Sequence, residues 1–404
     1  MKKKLLAVLM TATMVCSLAA CGSESAPAET PAETTEEAPA EEAPAEEEAP
    51  AEEEAAPEAD ATEASDMRVA MVTDYGDITD QSFNQTTYQA CKDFGDANGV
   101  DFTYYKPEGD STAEREAMID KAVADGYNVI VMPGYAFGEA IAETADIYPE
   151  VKFVALDVSE FDLGGNVGAN VFSAVYQEEL PGYMAGYAAV KMGFTKLGFL
   201  GGMAVPAVIR YGYGFVQGAD AAAEEIGADV EINYAYGNQF YGDSDITAAM
   251  DTWYKGGTEV VFACGGGIYT SAAEAAEKVG AKVIGVDVDQ APIIDGDYGK
   301  GTTITSATKG LAATVNTILA AIRDGEWDSY AGQVQNLGLV SGDDLDLNYV
   351  GLAESTVWTD SFTEADYKQL VADMVSGKIT VSNDSEAEEP SANTVSINFQ
   401  GNIK

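Results

Sequence analysis

The stretch Thr73-Asp74-Tyr75-Gly76-Asp77-Ile78-Thr79-Asp80-Gln81-Ser82-Phe83-Asn84-Gln85 crowds three aspartates into a turn that ends on a phenylalanine. Such a cluster could hold a metal, sit by a phosphate, or accept hydrogen bonds from a sugar while the aromatic face stacks on a ring. Further acids follow short apolar runs elsewhere: Asp157 after Lys152-Phe153-Val154-Ala155-Leu156, and Asp287 and Asp289 in Ile284-Gly285-Val286-Asp287-Val288-Asp289-Gln290.

The chain contains no histidine, which removes the commonest general base and the commonest transition-metal ligand. Asp243-Ser244-Asp245 and Asp343-Asp344-Leu345-Asp346 lack the calcium-loop spacing, so a helix cap and a solvated turn are expected there, and no metal or cofactor. Gly212-Tyr213-Gly214-Phe215-Val216-Gln217-Gly218 and Gly265-Gly266-Gly267 do not fit the dinucleotide or P-loop patterns. With 68 acids against 21 bases the field repels phosphorylated ligands and nucleic acid, which favours a neutral or cationic ligand. A neutral polyol fits: a carboxylate accepts two hydrogen bonds from vicinal hydroxyls at about 1.5–3 kcal/mol each, and stacking on an aromatic ring contributes about 1–3 kcal/mol. A ribose carrying a base uses both contacts.

The elements that must position these residues alternate. Strand-like runs at 67–72, 101–105, 128–132 and 152–156 are separated by helix-length segments at 82–99, 111–126 and 135–148. A second series has helices at 178–192, 210–226, 243–256 and 271–279 between strands at 196–200, 230–236, 259–263 and 282–286. This rhythm predicts an α/β fold of two doubly wound parallel-sheet lobes, with ligands beyond the carboxyl ends of the strands. Residues 302–351 carry too few elements for a third domain and are expected to complete both lobes through a multi-strand hinge. The expected division is lobe 1 at 67–172 and 302–332, lobe 2 at 173–301 and 333–381, and a C-terminal tail at 382–404.

Met1-Lys2-Lys3-Lys4 followed by the uncharged run 5–20 reads as a signal peptide, too short to span a bilayer. Leu18-Ala19-Ala20-Cys21 resembles a bacterial lipobox, which implies lipidation at Cys21 and a protein anchored to the outer face of the cell membrane. Residues 21–66, rich in Ala, Pro and Glu and free of Lys, Arg and aromatics, are expected to be a disordered acidic tether. Cys91 and Cys264 are expected to be small buried residues rather than a disulfide.

On the first motif, Asp157, IGVDVDQ and Ser306-Ala307-Thr308-Lys309, the chain resembles the basic membrane protein family, lipoprotein substrate-binding components of ABC importers, over residues 67 to about 381. The resemblance implies a type I periplasmic-binding-protein fold closing on a purine nucleoside, with an ABC permease and ATPase as partners and a monomer as the expected state. It implies that Asp74 contacts the base, that Phe83 stacks on it, and that a second aromatic, placed at Phe240 beside Tyr241, completes the sandwich. Asp157, the backbone of Gly265, Gly266 and Gly267, Asp287 and Lys309 would hold the ribose. Gly76-Asp77 departs from the family's glycine pair, and Tyr135-Ala136-Phe137 is unusually aromatic. A receptor for a sugar or other small polyol, and a nucleoside-hydrolysing enzyme, stand as alternatives.

Overall fold

A computed structural model describes residues 66–74 and 76–404. The leader, Cys21 and the tether as far as residue 65 lie outside the described residues.

The first series of apolar β-branched runs gives β1 (Arg68–Val72), β2 (Asp101–Tyr105), β3 (Val129–Pro133), β4 (Lys152–Leu156) and β5 (Val171–Tyr176). Between them lie α1 (Phe83–Asn98), α2 (Thr112–Ala124) and α3 (Gly138–Thr144). The second series runs α4 (Glu179–Lys191), β6 (Lys196–Gly201), α5 (Pro206–Ile226), β7 (Glu231–Tyr236), α6 (Ser244–Lys255) and β8 (Val260–Cys264). It continues with α7 (Tyr269–Glu277), β9 (Lys282–Asp287), α8 (Ala291–Tyr298) and β10 (Thr303–Lys309). The chain then returns through α9 (Leu311–Arg323), β11 (Gln333–Leu337), β12 (Val350–Leu352), α10 (Glu364–Val375) and β13 (Ser396–Asn402).

These strands form a six-stranded sheet, order β11-β5-β4-β3-β1-β2, and a seven-stranded sheet, order β12-β10-β9-β8-β6-β7-β13. All pairs are parallel except β10–β12. Both faces of each sheet are covered, as fully apolar parallel strands demand. In lobe 1, Val69, Val131 and Phe172 pack under Phe94 and Val315 on one face, while Ile130 and Phe153 meet Ile119 and Ile141 on the other. In lobe 2, Phe199 and Phe262 meet Phe215, and Leu200 and Val261 meet Met250 and Ala272.

Three expected boundaries shift. Residues 173–176, expected to open lobe 2, complete β5 in the lobe 1 sheet, a strand absent from the expected series, where it pairs with β4 and β11. Residues 303–309 belong to the lobe 2 sheet, because β10 lies beside β9 as the natural end of a crossover through α8. Residues 333–337 belong to lobe 1, where β11 pairs with β5. The chain therefore crosses after Lys309, not near 302. Among the described residues it passes between the sheets three times, and the crossings hydrogen-bond one another: Gln177 N–H donates to Leu337 O (2.9 Å) and Gly310 N–H to Tyr349 O (2.7 Å). The segment expected as a tail also differs. Its alternating Ser-Ile-Asn-Phe-Gln pattern adds β13 to the edge of β7.

The glycine run of α5 proves to be a packing device. Gly214 and Gly218 of α5, and Gly182 and Gly186 of α4, each present bare backbone to a carbonyl of the other helix, so close that a Cβ on any of them would fall far inside van der Waals contact. Gly218→Ala is expected to force these helices apart and cost about 1–3 kcal/mol or more, read as a lower Tm. The close approach matters to the site, since Glu178 precedes α4 and Arg210 sits in the first turns of α5.

Candidate functional site

The carboxyl ends of both sets of strands face one cavity of about 560 Å³ between the lobes. All nine residues expected to touch a ligand line it: Asp74, Phe83 and Asp157 from lobe 1, and Phe240, Gly265, Gly266, Gly267, Asp287 and Lys309 from lobe 2.

The turn after β1 positions Asp74 by spending its other acids locally. Asp80 caps α1, accepting from the N–H groups of Ser82 (2.9 Å), Asn84 (2.9 Å) and Gln85 (3.0 Å). Asp77 accepts from Thr79 N–H (3.1 Å) and pairs with Lys106 (3.0 Å). Asp74 remains directed at the cavity, with one oxygen accepting from Gly76 N–H at 2.5 Å. Burial pushes its carboxyl up from 3.8 to about 6, against the lowering effect of Gly76 and Asn84.

At the cavity floor Lys309 gathers acids from both lobes. Its ammonium lies 2.6 Å from Asp157, 3.3 Å from Glu178 and 3.8 Å from Asp287, and 4.7 Å from the centroid of the Phe83 ring. Burial opposes its charge, but Asp157, Glu178 and Asp287 outweigh that and hold its pKa well above the ordinary lysine value. Glu178, fully buried, also accepts from Arg210 at 2.7 Å. Two cations thus face three carboxylates, leaving an excess of acceptors. Asp157 Oδ1 is buried and has no hydrogen-bond partner among the described residues, and the same holds for Asn84 Oδ1. A buried acceptor without a donor is costly, so these atoms favour a ligand that donates to them. Burial pushes Asp157 up to about 6 although Lys309 pulls it down.

Backbone strain concentrates here. Asp157 (φ 61°) and Asp287 (φ 66°) adopt the left-handed region that non-glycine residues avoid, each at the end of its strand. Gly265 and Gly266 have positive φ; Gly265 leaves room for the Phe240 ring and Gly266 for the Phe240 carbonyl. Phe240 packs on the lobe 2 core, whereas Tyr241 is 58% exposed at the rim. The N–H of Gly267 donates to Phe240 O (2.8 Å), so that group braces the aromatic loop and does not face a ligand. The Asp243 cap expected on α6 is present, accepting from Asp245 and Ile246 N–H at 2.9 and 3.0 Å.

Sequence reasoning missed Asn84, Glu178, Arg210 and Tyr211, the last lining the cavity with its ring centroid 5.8 Å from the Lys309 ammonium. Asn84 adjoins Phe83 within the first motif, and its position on the opening turn of a helix beside a stacking residue was the available signal. Glu178 carried only a weak one, an acid just before the apolar α4.

If a ligand donates hydrogen bonds to ionised Asp74 and Asp157, acid must weaken it. One unit below a pKa of about 6 only about a tenth of each carboxylate is ionised, so affinity is expected to fall about tenfold per group between pH 7.5 and 5, measured by calorimetry at both values.

Two parallel-sheet lobes joined by several crossings around a cleft define the architecture of type I periplasmic solute-binding proteins. Solved solute-binding proteins of ABC transporter systems from Aeropyrum pernix and Conexibacter woesei share it, with TM-scores of 0.60 and 0.62. They are 22% and 23% identical, over 79% and 78% of this chain and 88% and 99% of theirs. The family follows from sequence: residues 67–378 match the Bmp family, and the chain belongs to these PnrA-like ABC transporter substrate-binding proteins. Among its relatives is the ABC transporter nucleoside-binding protein BmpA of Lactococcus lactis, 29% identical over 78% of this chain and 89% of that protein. Basic membrane protein B of Borreliella burgdorferi is 28% identical over 68% and 79%.

Proposed function

We propose that this substrate-binding protein captures a nucleoside, a purine by preference, between its lobes and delivers it to an ABC permease and ATPase, acting as a monomer held at the outer face of the membrane by lipid on Cys21. The observation that carries the reading is the Asp157 oxygen without a partner among the described residues, beside Lys309 and Asp287, in one cavity with Phe83 and Phe240 from opposite lobes. Ribose hydroxyls supply the donors Asp157 lacks, Asp74 and Asn84 read the base edge, and the two phenylalanines take its faces. The name of the Lactococcus lactis relative supports the same ligand class.

Nothing in this scheme breaks a bond. Purified protein denatured and analysed by chromatography should release intact nucleoside, whereas release of free base and ribose would indicate the hydrolytic alternative. A 2′-deoxynucleoside, which leaves a buried acceptor unpaired, is expected to bind about 10–100-fold more weakly than its ribo counterpart in calorimetry. Equal affinities would remove the ribose role from Asp157 and Asp287.

A further inference from the structure

Gln81 and Ser82 of the first motif and Gln290 of the second touch no ligand in the proposed scheme. They meet across the cleft. Ser82, fully buried, donates through Oγ to Asp287 Oδ2 at 2.5 Å. Gln290, 1% exposed, is fixed inside lobe 2: its side-chain oxygen accepts from Val286 N–H (2.9 Å) and its own N–H donates to Ser306 Oγ (3.1 Å). Its remaining amide nitrogen donates to the Gln81 carbonyl of lobe 1 at 3.1 Å. Gln81 has φ 55° and Asp287 φ 66°, so strained backbone faces strained backbone at the same contact.

We infer that Gln81 and Ser82 with Asp287 and Gln290 form a latch that draws the lobes together through protein contacts alone. The ligand-free protein then samples the closed form before any nucleoside arrives. Ser82 is a positioning residue: its hydroxyl occupies one oxygen of Asp287 and leaves the other toward Lys309 and the cavity. The inference rests on the reading that this cleft opens and closes around a ligand, since a permanently shut cleft would need no latch. A pre-existing closed population, biased further by ligand, is the arrangement expected when closure and binding are coupled. Losing one charge-assisted contact available only in the closed form should lower the closed-to-open ratio about tenfold and raise the ligand dissociation rate by a similar factor, with little change in association.

The test is a lobe-to-lobe distance measurement by pulsed dipolar spectroscopy on the full chain, labelled at Glu108→Cys and Ala248→Cys, both exposed positions. Cys16→Ser and Cys21→Ser remove the two N-terminal thiols, and Cys91 and Cys264 are buried from the label. Without ligand, the parent should show a closed and an open distance, and Ser82→Ala should shift the distribution toward the open one while Ser82→Thr restores it. Gln290→Glu, which keeps an acceptor for Val286 but loses the donor to Gln81, should open it independently, so that a folding failure of one variant leaves the other to decide. A parent with only the open distance, or variants with unchanged distributions, would overturn the latch. Because the measurement needs no ligand, absence of nucleoside binding would defeat the functional reading alone.

Discussion

Lys309→Met is expected to be the most damaging single substitution in the site. It would leave Asp157, Glu178 and Asp287 buried together, with the Arg210–Glu178 ion pair the one that remains to this cluster among the described residues. Removing one member of a buried ion network costs about 3–5 kcal/mol, because the remaining charges keep their desolvation penalty without the attraction that offset it. At about 2–4 °C per kcal/mol for a protein of this size, Tm should drop by roughly 10 °C. Acid should repair part of the loss. Burial already raises Asp157 and Asp287, and without Lys309 both rise further, so the folded variant binds protons between pH 7 and 5 while the unfolded chain does not. Stability of the variant then increases as pH falls through that window. Thermal melts at pH 7 and 5 read both effects, and a variant with parental Tm would show that Lys309 is not the hub of the site.

Asp74→Asn should separate stability from function. A carboxylate whose folded pKa is raised to about 6 prefers its protonated form in the fold, so at pH 7 its charge destabilises the protein, and that cost disappears as pH falls from 6 toward 3.8. The full shift corresponds to about 3 kcal/mol, and about 1–2 kcal/mol is expected once water in the cavity is allowed for. The asparagine keeps an oxygen for Gly76 N–H and removes the charge. The ligand-free variant should therefore melt several degrees higher, while its nucleoside affinity falls about 10–100-fold through loss of a charge-assisted hydrogen bond to the base. Loss of affinity without gain in stability would place Asp74 in the framework of the turn rather than at the ligand.

The residues that answer to strand ends were the legible part of this protein. Asp74, Asp157 and Asp287 each follow an apolar β-branched run, and that position alone directs them to one edge of a parallel sheet. Asp243 could be assigned to a cap because the acid immediately precedes a helical pattern. What the sequence concealed depends on contacts between distant segments. Glu178 looks like an ordinary acid at a helix start, and only the glycine-to-carbonyl packing of α4 on α5 brings it to Arg210 and Lys309. The exchange of β10 and β11 between lobes follows from which strand each pairs with, a choice that local periodicity does not encode. The strand at 396–402 was hidden by the polar, acidic residues before it, though its own alternation is visible in retrospect. The cross-cleft meeting of Ser82 with Asp287 likewise joins two recognisable motifs whose proximity neither motif announces.

The claim that unites these points is that the cavity recognises a nucleoside through its base and its ribose together. Calorimetric titration of the protein at pH 7.5 with guanosine, inosine and adenosine, alongside ribose, glucose and galactose, tests it most directly. One purine nucleoside bound per chain, with no saturable heat from the free sugars, is the predicted result. Saturable binding of a sugar, with the nucleosides inert, would contradict it.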